Sequence, residues 1–370
     1  MGDSIKNQYK PNYAVLPGEV LSDELEIRDM SQQELSRRTG LTPKHIVSII
    51  KGKSTITPET ALKLESAIGM PANYWLNLES NYQEIKARLA EEGRLEADLN
   101  WLKRIPVAEM VKMDWIVRHR DKKSQLKEVL KFFGIAGVDQ WSEMWPRLSV
   151  AYRQSNQNTV SPEAVSAWLR KGELDAASIQ CGPYSKQVFR QALDNIRALT
   201  DLSPQEFVPE IQSLCAEAGV AVVFVPSLPK TGVSGATRWI NSNKAVIQLS
   251  LRYRSNDHLW FTFFHEAGHI LLHGKKELFI EQTKSSNNGL DDSKEAEANR
   301  FAQNELIPLR ALEAFIQSGD LTKVAIRAFA KQVGIAPGIV VGQLQHRGVL
   351  SYQYCNDLKY FYRWSHETDS

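Results

Sequence analysis

His265, Glu266 and His269 fall within the run His-Glu-Ala-Gly-His. On a helix the two histidines are one turn apart and face the same way. Two neutral imidazoles at that spacing can grip one zinc ion. The carboxylate between them can serve as general base on a water activated there. Zinc is therefore the expected cofactor, and metalloendopeptidase chemistry is a possibility the pattern leaves open. A purely structural zinc site would have no need of Glu266. A second set of chemically competent residues lies far upstream. Between Glu34 and Glu59 there is no acidic residue, whereas Arg37, Arg38, Lys44, Lys51 and Lys53 all occur there. The whole chain carries 45 Lys and Arg against 43 Asp and Glu, a net +2, which on its own predicts no nucleic-acid partner. The local basic patch reverses that expectation.

Composition bounds the rest. A chain of 370 residues exceeds one ordinary domain, and 42% hydrophobic with 24% charged residues excludes a mostly disordered polymer. Cys181, Cys215 and Cys355 are far apart and in no CxxC pair, which argues against a disulfide framework or a thiolate zinc site. Apolar runs are too short for a membrane-spanning helix, and MGDSIKNQYK lacks the apolar core of a signal peptide. A cytoplasmic protein with no membrane partner is expected.

Elements must position these residues. Pro17 can open a first helix. Ser31 with Glu34 forms a capping box, and Gly40 ends the short helix that follows. Thr42-Pro43 starts the next helix, with Ile46 and Ile49 facing inward, and Thr57-Pro58 starts another. Leu35, Leu62, Leu64 and Ile68 are expected to seal this bundle. Residues 91–209 read as a helical connector, with Trp101, Trp115, Trp141, Trp145 and Trp168 on core faces. Val220–Val225, Val233–Ile240 and Ala245–Leu251 have strand character, the last two joined by a hairpin at Asn241-Ser242-Asn243. A helix from about Asp257 to Leu272 carries the histidines, and another starts at Ser293. The fold class is mainly α with a small β layer (α+β). The divisions are 13–90, 91–209, 210–310 and 311–370. The last is expected to be a helical brace, although its helix–Gly–helix rhythm around Gly334 also faintly resembles a helix-turn-helix.

The segment SQQELSRRTGLTPKHIVSIIKGKSTITPETALKLESAIG resembles helix-turn-helix domains of the phage-repressor type. The resemblance implies that the helix from Pro43 enters the DNA major groove with its N-terminal residues first. Lys44 and His45 would then donate to guanine acceptors, and Ser48 to a base or a phosphate. Gln32, Arg37, Arg38, Lys51 and Lys53 would hold the phosphate backbone. Residues 13–80, from PGEVLSDEL to ANYWLNLE, also look like HigA-type antitoxins. That likeness implies an operator-binding homodimer that autoregulates and neutralises a toxin.

The segment KEAEANRFA, some 26 residues beyond His269, resembles the glutamate helix of gluzincin peptidases, in which a carboxylate supplies the third zinc ligand. Glu295, with Asn299 one turn later supporting a histidine, suits this pattern; Glu297 is the alternative ligand, about 200° away on an ideal helix. The segments TRWI, AVIQLSLRYRSNDHLWFTFFHEAGHILLHG and EAEANRFAQNELIP together resemble the ImmA/IrrE-type zinc metallopeptidase domain. The likeness implies a small sheet beside the zinc helix, with an edge strand near Gly235–Trp239 holding an extended peptide. His273 is expected behind a zinc ligand or facing substrate, with a fourth-ligand role also open. His258, Tyr253 and Arg252 are possible oxyanion stabilisers.

The function expected is a sequence-specific DNA-binding regulator or antitoxin with a zinc-dependent, peptidase-like domain that cleaves a partner toxin or repressor. The alternatives are a non-catalytic regulator that senses a ligand through its zinc domain, and a scaffold that only masks a toxin.

Overall fold

The computed structural model describes residues 14–145, 160–274, 279–282 and 289–364. The N-terminal decapeptide read above for signal-peptide character lies outside the described residues. The chain divides into two compact units, residues 1–100 and 101–370.

The first unit is helical: α1 (Pro17–Ile27), α2 (Gln32–Thr39), α3 (Pro43–Ile50), α4 (Pro58–Ile68) and the long α5 (Ala72–Leu102). Each of α2, α3 and α4 starts where a hydroxyl can take an orphan N–H. Ser31 accepts from the Glu34 amide at 3.1 Å, Thr42 from His45 at 3.2 Å and Thr57 from Thr60 at 3.3 Å. Gly40 closes α2 with φ +70°, a conformation that favours glycine, and so turns the chain into α3. Leu21, Leu25, Leu35, Ile46, Ile49, Leu64, Ile68 and Trp75 form the core. Leu62 does not join them. It is 58% exposed, because Ala61 and Leu64 take the inward face of α4.

The second unit is built on a four-stranded sheet. Its strands are β1 (Val220–Phe224), β2 (Val233–Asn241), β3 (Lys244–Leu249) and β4 (Phe279–Gln282), in the order β1-β3-β2-β4. β2 and β3 form the expected antiparallel hairpin, with Trp239 opposite Ala245. β1 lies parallel to β3, and β4 pairs antiparallel with β2.

Ahead of the sheet come α6 (Val107–Lys112), α7 (Lys122–Phe133), α8 (Val138–Met144), α9 (Pro162–Ser178), α10 (Lys186–Arg197) and α11 (Pro204–Glu217). After it come α12 (Asn256–Leu272), α13 (Gly289–Leu306), α14 (Leu309–Gln317), α15 (Lys323–Val333) and α16 (Pro337–His346). Strand side chains alternate between faces. One face meets α9: Trp168 donates through Nε1 to Val225 O at 3.0 Å, and Gln248 donates to Trp168 O at 2.6 Å. On the other face Ala245, Ile247 and Leu249 pack with Phe263, Phe264 and Ala267 of α12.

Trp101, Trp141, Trp145 and Trp168 are buried, and Trp115 stacks on Phe132. α16 is buried along Ile339, Val340, Val341 and Leu344. A helix so covered cannot enter a DNA groove, so the second helix-turn-helix reading of this segment fails. Of the terminal aromatics, Tyr362 is buried against Phe207, whereas Tyr352, Tyr354, Tyr360 and Phe361 are exposed. Among the described residues no single helix is long and apolar enough to cross a membrane.

Candidate metal centre and nucleic-acid face

His265, Glu266 and His269 lie on α12 and are almost wholly buried. The Nε2 atoms of the two histidines are 3.0 Å apart. Glu295 on α13 reaches both, with Oε2 3.1 Å from His265 Nε2 and Oε1 3.4 Å from His269 Nε2. The three ligating atoms fall within 4.8 Å of one another.

Two glycines make this geometry possible. A Cβ at Gly268 would stand 3.0 Å from Phe301 Cδ1 and 3.3 Å from Ala298 Cα, so the glycine inside HEAGH lets α13 come close enough to present Glu295. A Cβ at Gly235 would stand 2.7 Å from Glu266 Oε1, so β2 leaves room for that carboxylate only because it has glycine there. Two residues along, Thr237 donates to Glu266 O at 3.2 Å and ties the strand to the helix.

The opposite ring nitrogens are engaged too. His265 Nδ1 lies 3.0 Å from Asn299 Oδ1. An amide oxygen can only accept, so Nδ1 carries the hydrogen and Nε2 offers its lone pair inward. His269 Nδ1 lies 2.9 Å from His273 Nδ1, and His273 Nε2 lies 3.3 Å from Glu297 Oε2. The structure thus separates the two glutamates, Glu295 to the paired imidazoles and Glu297 to His273. It puts His273 on the far side of His269, outside the convergent group. Burial, aided by the neighbouring histidines, lowers the pKa of His269, which favours the neutral ring that a metal binds. Burial alone would raise the pKa of Glu295. The close approach of the His265 and His269 rings outweighs it and holds the carboxyl at about 2.

Two expectations need correction. Gly235, Ala236 and Thr237 are paired with β3 on one side and with β4 on the other, so this stretch is no sheet edge. β4, a strand the sequence patterns did not reveal, takes the outer position. His258 precedes Glu266 by two turns of α12, about 12 Å of helix rise, too far for its ring to stabilise an oxyanion formed beside Glu266. Sequence reasoning placed Gly235 and Thr237 in this strand but missed their contacts with Glu266; the sole signal was a glycine inside a strand pattern.

In the first unit Gln32, Arg37, Arg38, Lys44, Lys51 and Lys53 are exposed, and His45 and Ser48 are half-buried. Arg38 is ion-paired with Glu34 one turn earlier, and Ser48 Oγ lies 2.7 Å from Ser54 Oγ. Lys44 and His45 stand in the first turn of α3, while Lys51 and Lys53 follow its end.

Residues 22–75 match the family model for the helix-turn-helix, and residues 215–340 match that for the IrrE N-terminal-like domain. Over 71 residues the chain is 31% identical to the HTH-type transcriptional regulator YddM of Escherichia coli, a match spanning 19% of this chain and 76% of that protein. It is 32% identical over 82 residues to virulence-associated protein I of Dichelobacter nodosus, across 22% of this chain and 73% of the relative. A solved addiction module antidote protein of the HigA family from Coxiella burnetii shares 30% identity, with 23% of this chain and 94% of that one covered at a TM-score of 0.22. By the two family-model matches and the relatives from Escherichia coli and Dichelobacter nodosus, the chain belongs to the helix-turn-helix family of DNA-binding regulators and carries an IrrE N-terminal-like domain in its second unit.

Proposed function

We propose that this protein is a sequence-specific, operator-binding regulator of the antitoxin type, acting as a homodimer in the cytoplasm. Its second unit is a zinc-dependent endopeptidase that cleaves a partner toxin or repressor. The observation that carries the enzymatic half is the convergence of His265, His269 and Glu295 with Glu266 on the adjoining residue of the same buried helix. Supporting the regulatory half are the exposed cations around α3 and the kinship with a transcriptional regulator.

The donor set fits zinc. Two imidazole nitrogens and one carboxylate are the open-site ligand pattern of hydrolytic zinc, which leaves a position for water or substrate. Asn299 holds His265 in the ligating tautomer. For His269 the same duty passes through His273 to Glu297, whose carboxylate accepts from His273 Nε2 so that His273 Nδ1 can accept from His269. Zinc, when bound, would supply Lewis-acid polarisation of a scissile carbonyl. Glu266 takes a proton from the attacking water and returns it to the leaving amine. The outer strand β4 offers a main-chain edge for an extended peptide.

The test is metal analysis joined to a proteolysis assay on the protein encoded by the neighbouring gene. Glu266→Gln is expected to keep its zinc and lose cleavage by at least a hundredfold. Undiminished cleavage by that variant would remove Glu266 from the mechanism.

A further inference from the structure

Residues 117–131 carry six Lys and Arg against Asp121 and Glu128, a local excess of +4 in a chain whose net charge is +2. They comprise the loop before α7 and most of α7 itself. Lys123, Lys127 and Lys131 follow one another at i, i+4, along the side of α7 away from the buried Leu126, Val129, Leu130 and Phe133. Cations at this spacing in other helices face acids: Lys63 meets Glu59, Arg88 meets Glu84 and Lys171 meets Asp175. Like charges at the same spacing disfavour a helix, so the stripe on α7 does nothing for the fold.

The loop is clamped to the helix. Gln125, which is buried, accepts from His119 N at 2.8 Å and donates to Val117 O at 3.1 Å. Glu128 accepts from Val117 N at 3.3 Å, and its second oxygen lies 3.8 Å from His119 Nε2. Asp121 caps α7 by accepting from Ser124 N at 2.7 Å, and it lies near Lys123. Both acids of the stretch are thereby engaged within the loop and the helix. Among the described residues no carboxylate pairs with Arg118, Arg120, Lys122, Lys127 or Lys131, and all five are exposed. The clamp sets Arg118 and Arg120, which flank His119, beside the turn of α7 that carries Lys127.

We infer that this face of the second unit is a further DNA contact, one that grips the phosphate backbone of a duplex without reading its sequence. It rests on the reading that the first unit binds DNA, and it is independent of zinc and of peptide cleavage. From Lys123 to Lys131 the helix rises about 12 Å, a length along which a duplex presents about seven phosphates. Contacts from Arg and Lys to phosphates position a protein on DNA and carry no sequence information. Residues 117–131 include no Phe, Tyr or Trp, so the face lacks the stacking rings by which a single strand is held. A duplex held by one unit meets the other at a raised effective concentration, so individually weak phosphate contacts add to the whole.

The experiment titrates the full chain with a fluorescein-labelled duplex of random sequence over a range of salt concentrations. Arg118→Gln, Arg120→Gln, Lys127→Gln and Lys131→Gln together are expected to weaken binding at least tenfold. They should also lower the slope of log affinity against log salt by about 0.9 for each phosphate no longer neutralised. Arg118→Lys, Arg120→Lys, Lys127→Arg and Lys131→Arg, which keep the charge, are expected to stay within twofold of the unmutated chain. The melting temperature of the second unit should hold or rise with the glutamines, since they relieve like-charge repulsion. Affinity and salt slope untouched by the glutamine set overturn the contact. Acetylation footprinting of the unmutated chain needs no variant. The duplex is expected to protect Lys127 and Lys131 together with Lys51 and Lys53. Protection of Lys51 and Lys53 alone overturns the contact and keeps the first unit as the DNA reader. Protection of Lys127 and Lys131 alone keeps the contact and removes the recognition helix. Tighter binding to phosphatidylserine vesicles than to the duplex, lost in the glutamine set, would assign the face to a membrane and overturn the proposal as well.

Discussion

At Gly235 and Gly268 the absence of a side chain decides what its neighbours can do. Gly235 makes room for the Glu266 carboxylate, and Gly268 lets the helix bearing Glu295 approach. The two positions therefore predict different failures. Gly235→Ala crowds Glu266 Oε1 but touches none of the three ligating groups. It is expected to lower cleavage at least tenfold while zinc content stays near one per chain by metal analysis. Gly268→Val forces α13 outward, an overpacking of about 1–3 kcal/mol. It is expected to weaken zinc binding at least tenfold in a chelator competition. The opposite pairing of outcomes would contradict the packing argument. The same reasoning explains why Glu295 and Glu297, two residues apart, have separate partners. One reaches the paired imidazoles, and the other reaches the ring one turn beyond them.

Among elements, α3 presents cations of two kinds. Lys44 and His45 occupy its first turn, the part that reads base edges when such a helix lies in a major groove. Lys51 and Lys53 lie beyond its end, where phosphates are nearer. Lys44→Ala with His45→Ala is expected to erase discrimination between operator and random DNA in gel-shift assays. Lys51→Gln with Lys53→Gln is expected to weaken both alike and to reduce the salt slope, by about 0.9 for each phosphate no longer neutralised. An unaltered footprint in the first pair would sink the recognition-helix assignment.

The start of α12 is held by a different device. Asp257 and Lys359 form an ion pair with both side chains under 10% exposed, and Asn256 exchanges backbone and side-chain hydrogen bonds with Tyr360. Lys359→Met would leave the Asp257 carboxylate buried without its counter-charge, a change that costs about 3–5 kcal/mol. A clear fall in the melting temperature of the second unit, measured by calorimetry, is the expected result.

At the scale of the whole molecule, the chain forms two compact units. The first has a helical core of its own and includes none of the candidate metal ligands. The second gathers its ligands from two helices that metal binding would join. Calorimetry is therefore expected to show two transitions. Zinc removal should lower the second alone, because a metal that binds only the folded state adds stability by mass action. The same chelation should abolish cleavage and change operator affinity by less than about twofold, since the cations around α3 owe nothing to zinc. A shift of both transitions together would show that the units do not unfold independently.

Local features follow from the amino-acid sequence alone. Ser31, Thr42 and Thr57 start helices because a hydroxyl before a helix satisfies an amide within three residues, and such bonds need no partner from elsewhere. The i, i+4 spacing puts His265 and His269 on one face for the same reason, as does the hairpin at Asn241–Asn243 for β2 and β3. The charge pattern around α3 was equally legible once the near-neutral total was divided. Whatever depended on distant segments was settled by tertiary packing. Leu62 looked like a core residue by type, but helix rotation set by Ala61 and Leu64 turned it to solvent. Gly235–Trp239 looked like an edge until β4 paired with it, and four residues of irregular pattern carry too little periodicity to announce a strand. The i, i+4 relation to Asn299 favoured Glu295 over Glu297 in the sequence, and the crossing of α12 and α13 puts Glu295 at the paired imidazoles and Glu297 at His273. His258 was placed near the reacting atoms by sequence proximity, and the rise of a rigid helix moved it two turns away.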